Sequence, residues 1–155
     1  MSASDHPEQT LNQTSILGGE LEALMIEGSC HCGSARWNFT GAPEYATSCN
    51  CTLCRRWGAL WAYGFKDEEF RVIGATRAYL RDPRSIEFHF CQNCGCVAYW
   101  CTRRPGVDGR YYGAVNLRLA EPASIASIPI NYFDGLDKFE ALPRDGRCVA
   151  DILWA

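Results

Sequence analysis

From Ser34 onward, apolar and polar residues alternate. Ala35, Trp37 and Phe39 fall on one face, Ser34, Arg36, Asn38 and Thr40 on the other, and Gly41-Ala42-Pro43 ends the run. A period of two is that of a strand with one buried face. Residues 45–48 predict a second strand, and residues 60–65 a third that places Trp61, Tyr63 and Phe65 on one face. Residues 52–58 lack the alternation and predict one irregular or helical turn. After a turn at 66–69, a strand over 70–73 stops at Gly74. Residues 78–81 and 86–90 flank Asp82-Pro83-Arg84-Ser85, whose composition is that of a hairpin turn. Residues 97–102 alternate again, with Val97, Tyr99 and Cys101 opposite Ala98 and Trp100, and a turn at 105–109 precedes a strand over 111–117. Beyond Pro122 the pattern loosens, with a short helix expected near 123–127 and a last strand near 149–153. Residues 1–22 are polar, contain Pro7, Gly18 and Gly19, and show no sustained period. They are expected to form a flexible tail, leaving 23–155 as one domain. Short strands punctuated by glycine and proline, with weak helical periodicity, indicate a mainly β fold.

Composition changes this picture in one respect. A chain of 155 residues that is 47% hydrophobic and 21% charged can bury a core without covalent staples. Yet it holds ten cysteines. A secreted disulfide framework would call for a leader, and the segment Met1-Ser2-Ala3-Ser4-Asp5-His6-Pro7-Glu8 has neither a basic nor an apolar region. The expectation is therefore a cytoplasmic protein whose thiols are kept for metal, with no membrane-spanning run. A formal net charge of −3 argues against a nucleic-acid partner, which would call for a basic face.

Seven of the cysteines form three packets: Cys30 and Cys32; Cys49, Cys51 and Cys54; Cys91 and Cys94. Thiolate is a soft ligand, suited to zinc or iron–sulfur rather than magnesium or calcium. The outer packets together supply four thiolates, the tetrahedral complement of a structural zinc, whereas the middle packet supplies three and leaves a position open. Spacing alone leaves other partitions open. Cys96 or Cys101 could close the middle site instead, an iron–sulfur cluster fits the same donors, and a C-x-x-C pair also serves as a redox dithiol. A site joining Cys32 to Cys91 closes a long loop at a cost of roughly 3–4 kcal/mol. A structural zinc contributes on the order of 10–16 kcal/mol, so metal prevails and loss of an outer ligand should unfold the chain. Gly33 and Gly95 each follow a packet and permit the tight turn that aims N–H groups at sulfur. At the middle site Cys54 is the candidate reactive cysteine, because Arg55 and Arg56 follow it and are placed to lower its pKa or to meet a substrate carboxylate. Solvation, or neutralisation of thiolate charge, accounts for the same arginines equally well.

The runs Gly28-Ser29-Cys30-His31-Cys32-Gly33, Cys49-Asn50-Cys51-Thr52-Leu53-Cys54-Arg55-Arg56 and Phe90-Cys91-Gln92-Asn93-Cys94-Gly95 resemble, in order, spacing and flanking glycines, those of the glutathione-dependent formaldehyde-activating family. The resemblance covers most of residues 25–155 and implies a β-tent of coiled antiparallel sheets. It implies two Zn²⁺ per chain, a structural one on Cys30, Cys32, Cys91 and Cys94 and a catalytic one on Cys49, Cys51 and Cys54. It also implies a carbon–sulfur lyase whose partners are glutathione or a related small thiol and an aldehyde, as in condensation of formaldehyde with glutathione to S-hydroxymethylglutathione. Cys96 departs from the family pattern, which usually has a small non-thiol residue there.

Two other classes compete. One is a non-catalytic, zinc-stabilised module that binds protein or nucleic acid, which a fourth protein ligand at the middle site would favour; the other is thiol–disulfide exchange. Trp57, Trp61, Tyr63 and Tyr99 are candidates for a pocket wall, although strand aromatics more commonly fill cores. No general base stands out. His31 sits inside a ligand packet and His89 on the strand before Cys91, positions that fit a supporting or buried neutral role. Asn116, Asp134 and Asp137 lie in loop-like stretches that can border a site.

Overall fold

The computed structural model describes residues 24–81 and 85–153. The expected tail at 1–22, His6 within it, and the tip of the 82–85 turn lie outside those residues. The chain is mainly β, in two sheets. The smaller has the strand order β1 (Met25–Ser29), β2 (Arg36–Thr40), β5 (Phe70–Ile73), all antiparallel. The larger runs β11 (Glu140–Ala141), β10 (Ile130–Asp134), β3 (Ala46–Cys49), β4 (Leu60–Phe65), β9 (Tyr112–Asn116), β8 (Val97–Thr102), β7 (Ile86–Cys91), β6 (Thr76–Arg81). It is antiparallel except where β10 lies parallel to β3.

Alternation on β4 determines what each face of the larger sheet does. Leu60 and Ala62 turn into the main core, shared with Trp37 and Phe39 of β2 and Phe70 of β5. Trp61 and Tyr63 turn the other way, into a second cluster with Cys51, Cys54, Phe88 and Trp100. One strand thus serves a packing face and a cysteine face, and a one-residue slip would exchange them. Asn116 holds this centre together: its Oδ1 accepts from Leu60 N–H at 3.1 Å and its Nδ2 donates to the Val97 carbonyl at 2.9 Å. Its role is to tie strands, not to border a site.

Three departures from the sequence pattern have physical reasons. First, β1 gives a faint signal because its inward residue Gly28 lies opposite Trp37, and a Cβ there would collide with the indole. Second, residues 149–153 expected as a strand form a helix instead, α3 (Ala150–Leu153), after the helices α1 (Cys54–Trp57) and α2 (Pro122–Ile125). Val149, Ile152 and Leu153 all pack on the main core, and that spacing is helical, not alternating. Third, β10 and β11 occupy what reads as a loose C-terminal third. β10 is inserted beside β3 with Phe133 in register with Cys49.

Candidate metal centres

The first cluster is built from two similar turns on different sheets. After β1, Gly33 N–H closes on the Cys30 carbonyl at 2.9 Å, and Ala35 N–H donates to Cys30 Sγ at 3.2 Å. After β7, Gly95 N–H closes on the Cys91 carbonyl at 2.9 Å, and Asn93 N–H points to Cys91 Sγ at 3.4 Å. Both glycines have φ of +77°, a left-handed conformation that they adopt without strain. The turns meet so that Cys32 Sγ lies 3.6 Å from both Cys30 Sγ and Cys91 Sγ, and with Cys94 the four sulfurs fall within 4.8 Å of one another. Four sulfurs about 2.3 Å from a tetrahedral zinc would be about 3.8 Å apart, so the donor set fits such an ion. The cluster is electrostatically uneven. Burial pushes the Cys30 thiol up to about 11, whereas the Ser34 hydroxyl and backbone N–H beside Cys32 bring its thiol down to about 5.

The second cluster lies within the larger sheet. Cys49 ends β3, Cys51 occupies the following turn, and Cys54 opens α1. Cys51 N–H points to Cys49 Sγ at 3.5 Å and Cys54 N–H to Cys51 Sγ at 3.3 Å, so the backbone winds donors around the sulfurs. The Trp61 indole N–H donates to Cys54 Sγ at 3.2 Å. The three sulfurs lie within 4.8 Å of one another, and no fourth His, Cys, Asp or Glu joins them among the described residues. Hydrogen bonding with Cys54 lowers the Cys49 thiol to about 6, while the same contact and burial raise Cys54. Arg55 and Arg56 are exposed on α1, where Arg56 Nη1 donates to the Thr52 carbonyl.

A cavity of about 200 Å³ opens on these three sulfurs. Trp61, Phe88, Trp100 and Phe133 make its walls apolar, and Arg81 is its one cationic side chain among the described residues. Of the aromatics expected there, Trp61 and Tyr63 line it. Trp57 backs it by packing on Phe88 with ring centroids 5.3 Å apart, and Tyr99 lies on the other face, stacked on His89. The cavity roof is the 134–138 loop. Asp134, whose carboxyl is held below its ordinary range chiefly by Asn50, accepts from Asn50 Nδ2 at 3.0 Å and from the N–H groups of Leu136, Asp137 and Lys138. Asp137 contributes its backbone N–H to that loop. His31 is exposed in the turn between Cys30 and Cys32. Arg81 carried no sequence signal, because its position depends on strand order. The Asp134-Gly135 dipeptide was the legible trace of the roof.

Neither alternative fourth ligand reaches the trio. Cys96 packs with Cys30, Cys91 and Cys94 at the first cluster, and Cys101 lies beside Glu87 and His89. Cys148 sits apart, its Sγ 3.4 Å from Asp151 Oδ2. All ten cysteines are free thiols.

A mainly β chain with a four-thiol and a three-thiol cluster, the latter opening on an apolar cavity, defines a protein with sulfur sites able to hold soft metal ions. The chain belongs to the glutathione-dependent formaldehyde-activating enzyme family, whose model matches residues 25–123. It is 26% identical, over 82% of its length and 88% of the relative's, to a Halomonas elongata protein provisionally named a glutathione-dependent formaldehyde-activating enzyme. A crystal structure of a Rhodobacter sphaeroides protein superposes with a TM-score of 0.51 at 28% identity, covering 67% of this chain and 98% of that one.

Proposed function

We propose that the protein is a carbon–sulfur lyase that joins a glutathione-type thiol to a small aldehyde such as formaldehyde, and reverses that reaction, with Zn²⁺ at both cysteine clusters. The observation that carries this reading is the three-sulfur set, one donor short of a tetrahedron, on the wall of an apolar cavity. Zinc held by Cys49, Cys51 and Cys54 would supply Lewis acidity that favours the thiolate form of a visiting thiol. In the forward direction the thiol sulfur bonds to the aldehyde carbon, the carbonyl π bond breaks, and the thiol proton ends on the new hydroxyl oxygen. Around that chemistry Trp61 fixes Cys54, while Phe88 and Trp100 keep water from competing for the aldehyde carbon. Arg81 is the cavity cation for a substrate carboxylate, and Arg55 and Arg56 add positive charge outside the cavity that draws an anionic thiol toward it.

The four-thiol cluster takes the structural role. Its donors come from turns 59 positions apart on separate sheets, so metal there joins the sheets. The same proposal takes 23–155 as one domain of a cytoplasmic protein without nucleic-acid or membrane partners, and the formal net charge of −3 supports the absence of a polyanion partner. No described helix is long and apolar enough to cross a membrane.

Metal analysis combined with glutathione titration, with and without formaldehyde, tests the proposal. The wild type is expected to bind two zinc ions and to respond to thiol. Cys54→Ser should lose that response and one ion while remaining folded, and Cys94→Ser should yield unfolded protein. If both variants behave alike, the division of labour between the clusters is wrong. If the wild type binds two ions without responding to thiol, the lyase assignment fails.

A further inference from the structure

The face of β7 and β8 turned away from the apolar cavity carries a third convergence of donors. Glu87, His89 and Cys101 each bring one ligand atom, and these atoms lie within 4.8 Å of one another. Strand register explains the meeting: Glu87 stands opposite Cys101 across the β7–β8 pair, and His89 is two residues along on the same face. We propose that Glu87, His89 and Cys101 form a third metal site, distinct from both cysteine clusters, for one divalent transition ion of the zinc type.

The chemistry of the donors supports a borderline-soft cation, since imidazole, thiolate and carboxylate together match zinc and not magnesium or calcium. His89 Nε2 is buried and makes no hydrogen bond; Glu87 Oε2, 3.4 Å away, is near enough for an ion pair but not aligned for a hydrogen bond. A buried ring nitrogen without a partner is an uncompensated cost, which a bound ion removes. The ring is already oriented. Thr76 Oγ1 lies 3.0 Å from Nδ1, and the Tyr99 ring stacks on the imidazole at 4.2 Å with an interplanar angle of 8°. A metal-binding histidine is held in this way, its far nitrogen occupied and the near one left bare. Glu87 is likewise held, with Arg103 Nε donating to Oε1 at 3.0 Å and leaving Oε2 to the ion.

Charge also closes. The Glu87 carboxylate and a Cys101 thiolate carry two negative charges for a divalent ion, and the neighbouring Lys66 is occupied by Asp67 at 3.2 Å. Cys101 is a free thiol before the ion arrives. Binding therefore breaks the Cys101 S–H bond, forms a sulfur–metal bond and releases the proton to solvent, with no change of oxidation state. A cavity of about 350 Å³ borders the triad and gives the ion a route from solvent.

Cobalt titration of the full chain decides the matter, with its cysteine clusters zinc-loaded and loosely held metal removed on a chelating resin. Bound zinc and cobalt are counted together. The wild type is expected to hold one ion more than His89→Gln, with the visible absorption of tetrahedral cobalt and a sulfur-to-metal band from a single thiolate. Affinity should fall at least tenfold in His89→Gln and Glu87→Gln, and Cys101→Ser should lose the sulfur band while circular dichroism is unchanged. Cys54→Ser keeps the triad and should take up the same extra ion, which separates this site from the trio beneath the apolar cavity. Should Cys101→Ser fail to fold, the decision rests on the other two variants. An ion count and affinity that are equal in wild type, His89→Gln and Glu87→Gln overturn the proposal.

Discussion

A Cβ at Gly135 would lie 2.6 Å from Cys49 Sγ and 2.9 Å from Cys51 Cβ. The roof loop therefore touches the three-thiol cluster directly, and the side chain missing at 135 is what lets it close. Gly135→Ala forces either the loop or Cys49 to move, at about 1–3 kcal/mol for an overpacked site. The expected result is a folded protein whose middle cluster loses metal and whose thiol response falls at least tenfold. Metal analysis beside circular dichroism reads both, and normal metal content would show that the roof yields freely.

Trp61 is 1% exposed, and its indole N–H donates to Cys54 Sγ. Trp61→Phe retains an aromatic ring but removes the donor. Loss of the hydrogen bond together with the small void left behind is expected to lower stability by about 1–3 kcal/mol. Loss of the group that orients a metal ligand should weaken metal at the trio about 10–100-fold. Chemical denaturation and competition with a chelator measure the two effects separately.

Hydrogen bonding from Asn50 and the loop amides depresses the Asp134 carboxyl in the folded protein. A depressed carboxyl stabilises the fold above its unfolded pKa, about 3.9, and that contribution disappears as pH falls through the folded value. Asp134→Asn should therefore be less stable than wild type at pH 7, and the gap should narrow as pH drops below about 4. Melting temperatures of the two proteins along one pH series test this, and a constant gap would assign the loss to shape instead of charge.

Arg81 lines the cavity, whereas Arg55 and Arg56 are exposed on α1. Arg81→Ala is expected to raise the glutathione concentration needed for half-maximal response about tenfold, the worth of one charge-assisted hydrogen bond. Arg55→Ala and Arg56→Ala should each shift it less, and only at low ionic strength, because exposed charges are screened by salt. Glutathione titrations at two salt concentrations separate contact from field.

Local alternation made the central strands legible, and the cysteine packets made the two clusters legible, because both signals are confined to a few neighbouring residues. Information that depends on strand order was not. Arg81 reaches the cavity only because β6 borders β7 in the larger sheet, and Phe133 does so only because β10 is inserted beside β3. Cys101 shows the same limit. On its strand it is one more inward residue beside Tyr99, and only its pairing across to Glu87 separates it from the trio. The final helix was misleading for a local reason, since a short apolar run fits either period until its packing partners are known.

The two sulfur clusters draw on non-overlapping stretches, 30–32 with 91–94 for the one and 49–54 for the other. On the proposed division of labour, substitutions around the three-thiol cluster leave the four-thiol brace between the sheets intact. A lineage carrying this scaffold would then be free to change the proposed substrate, or to lose the proposed catalysis altogether, without first having to reinvent how the chain folds.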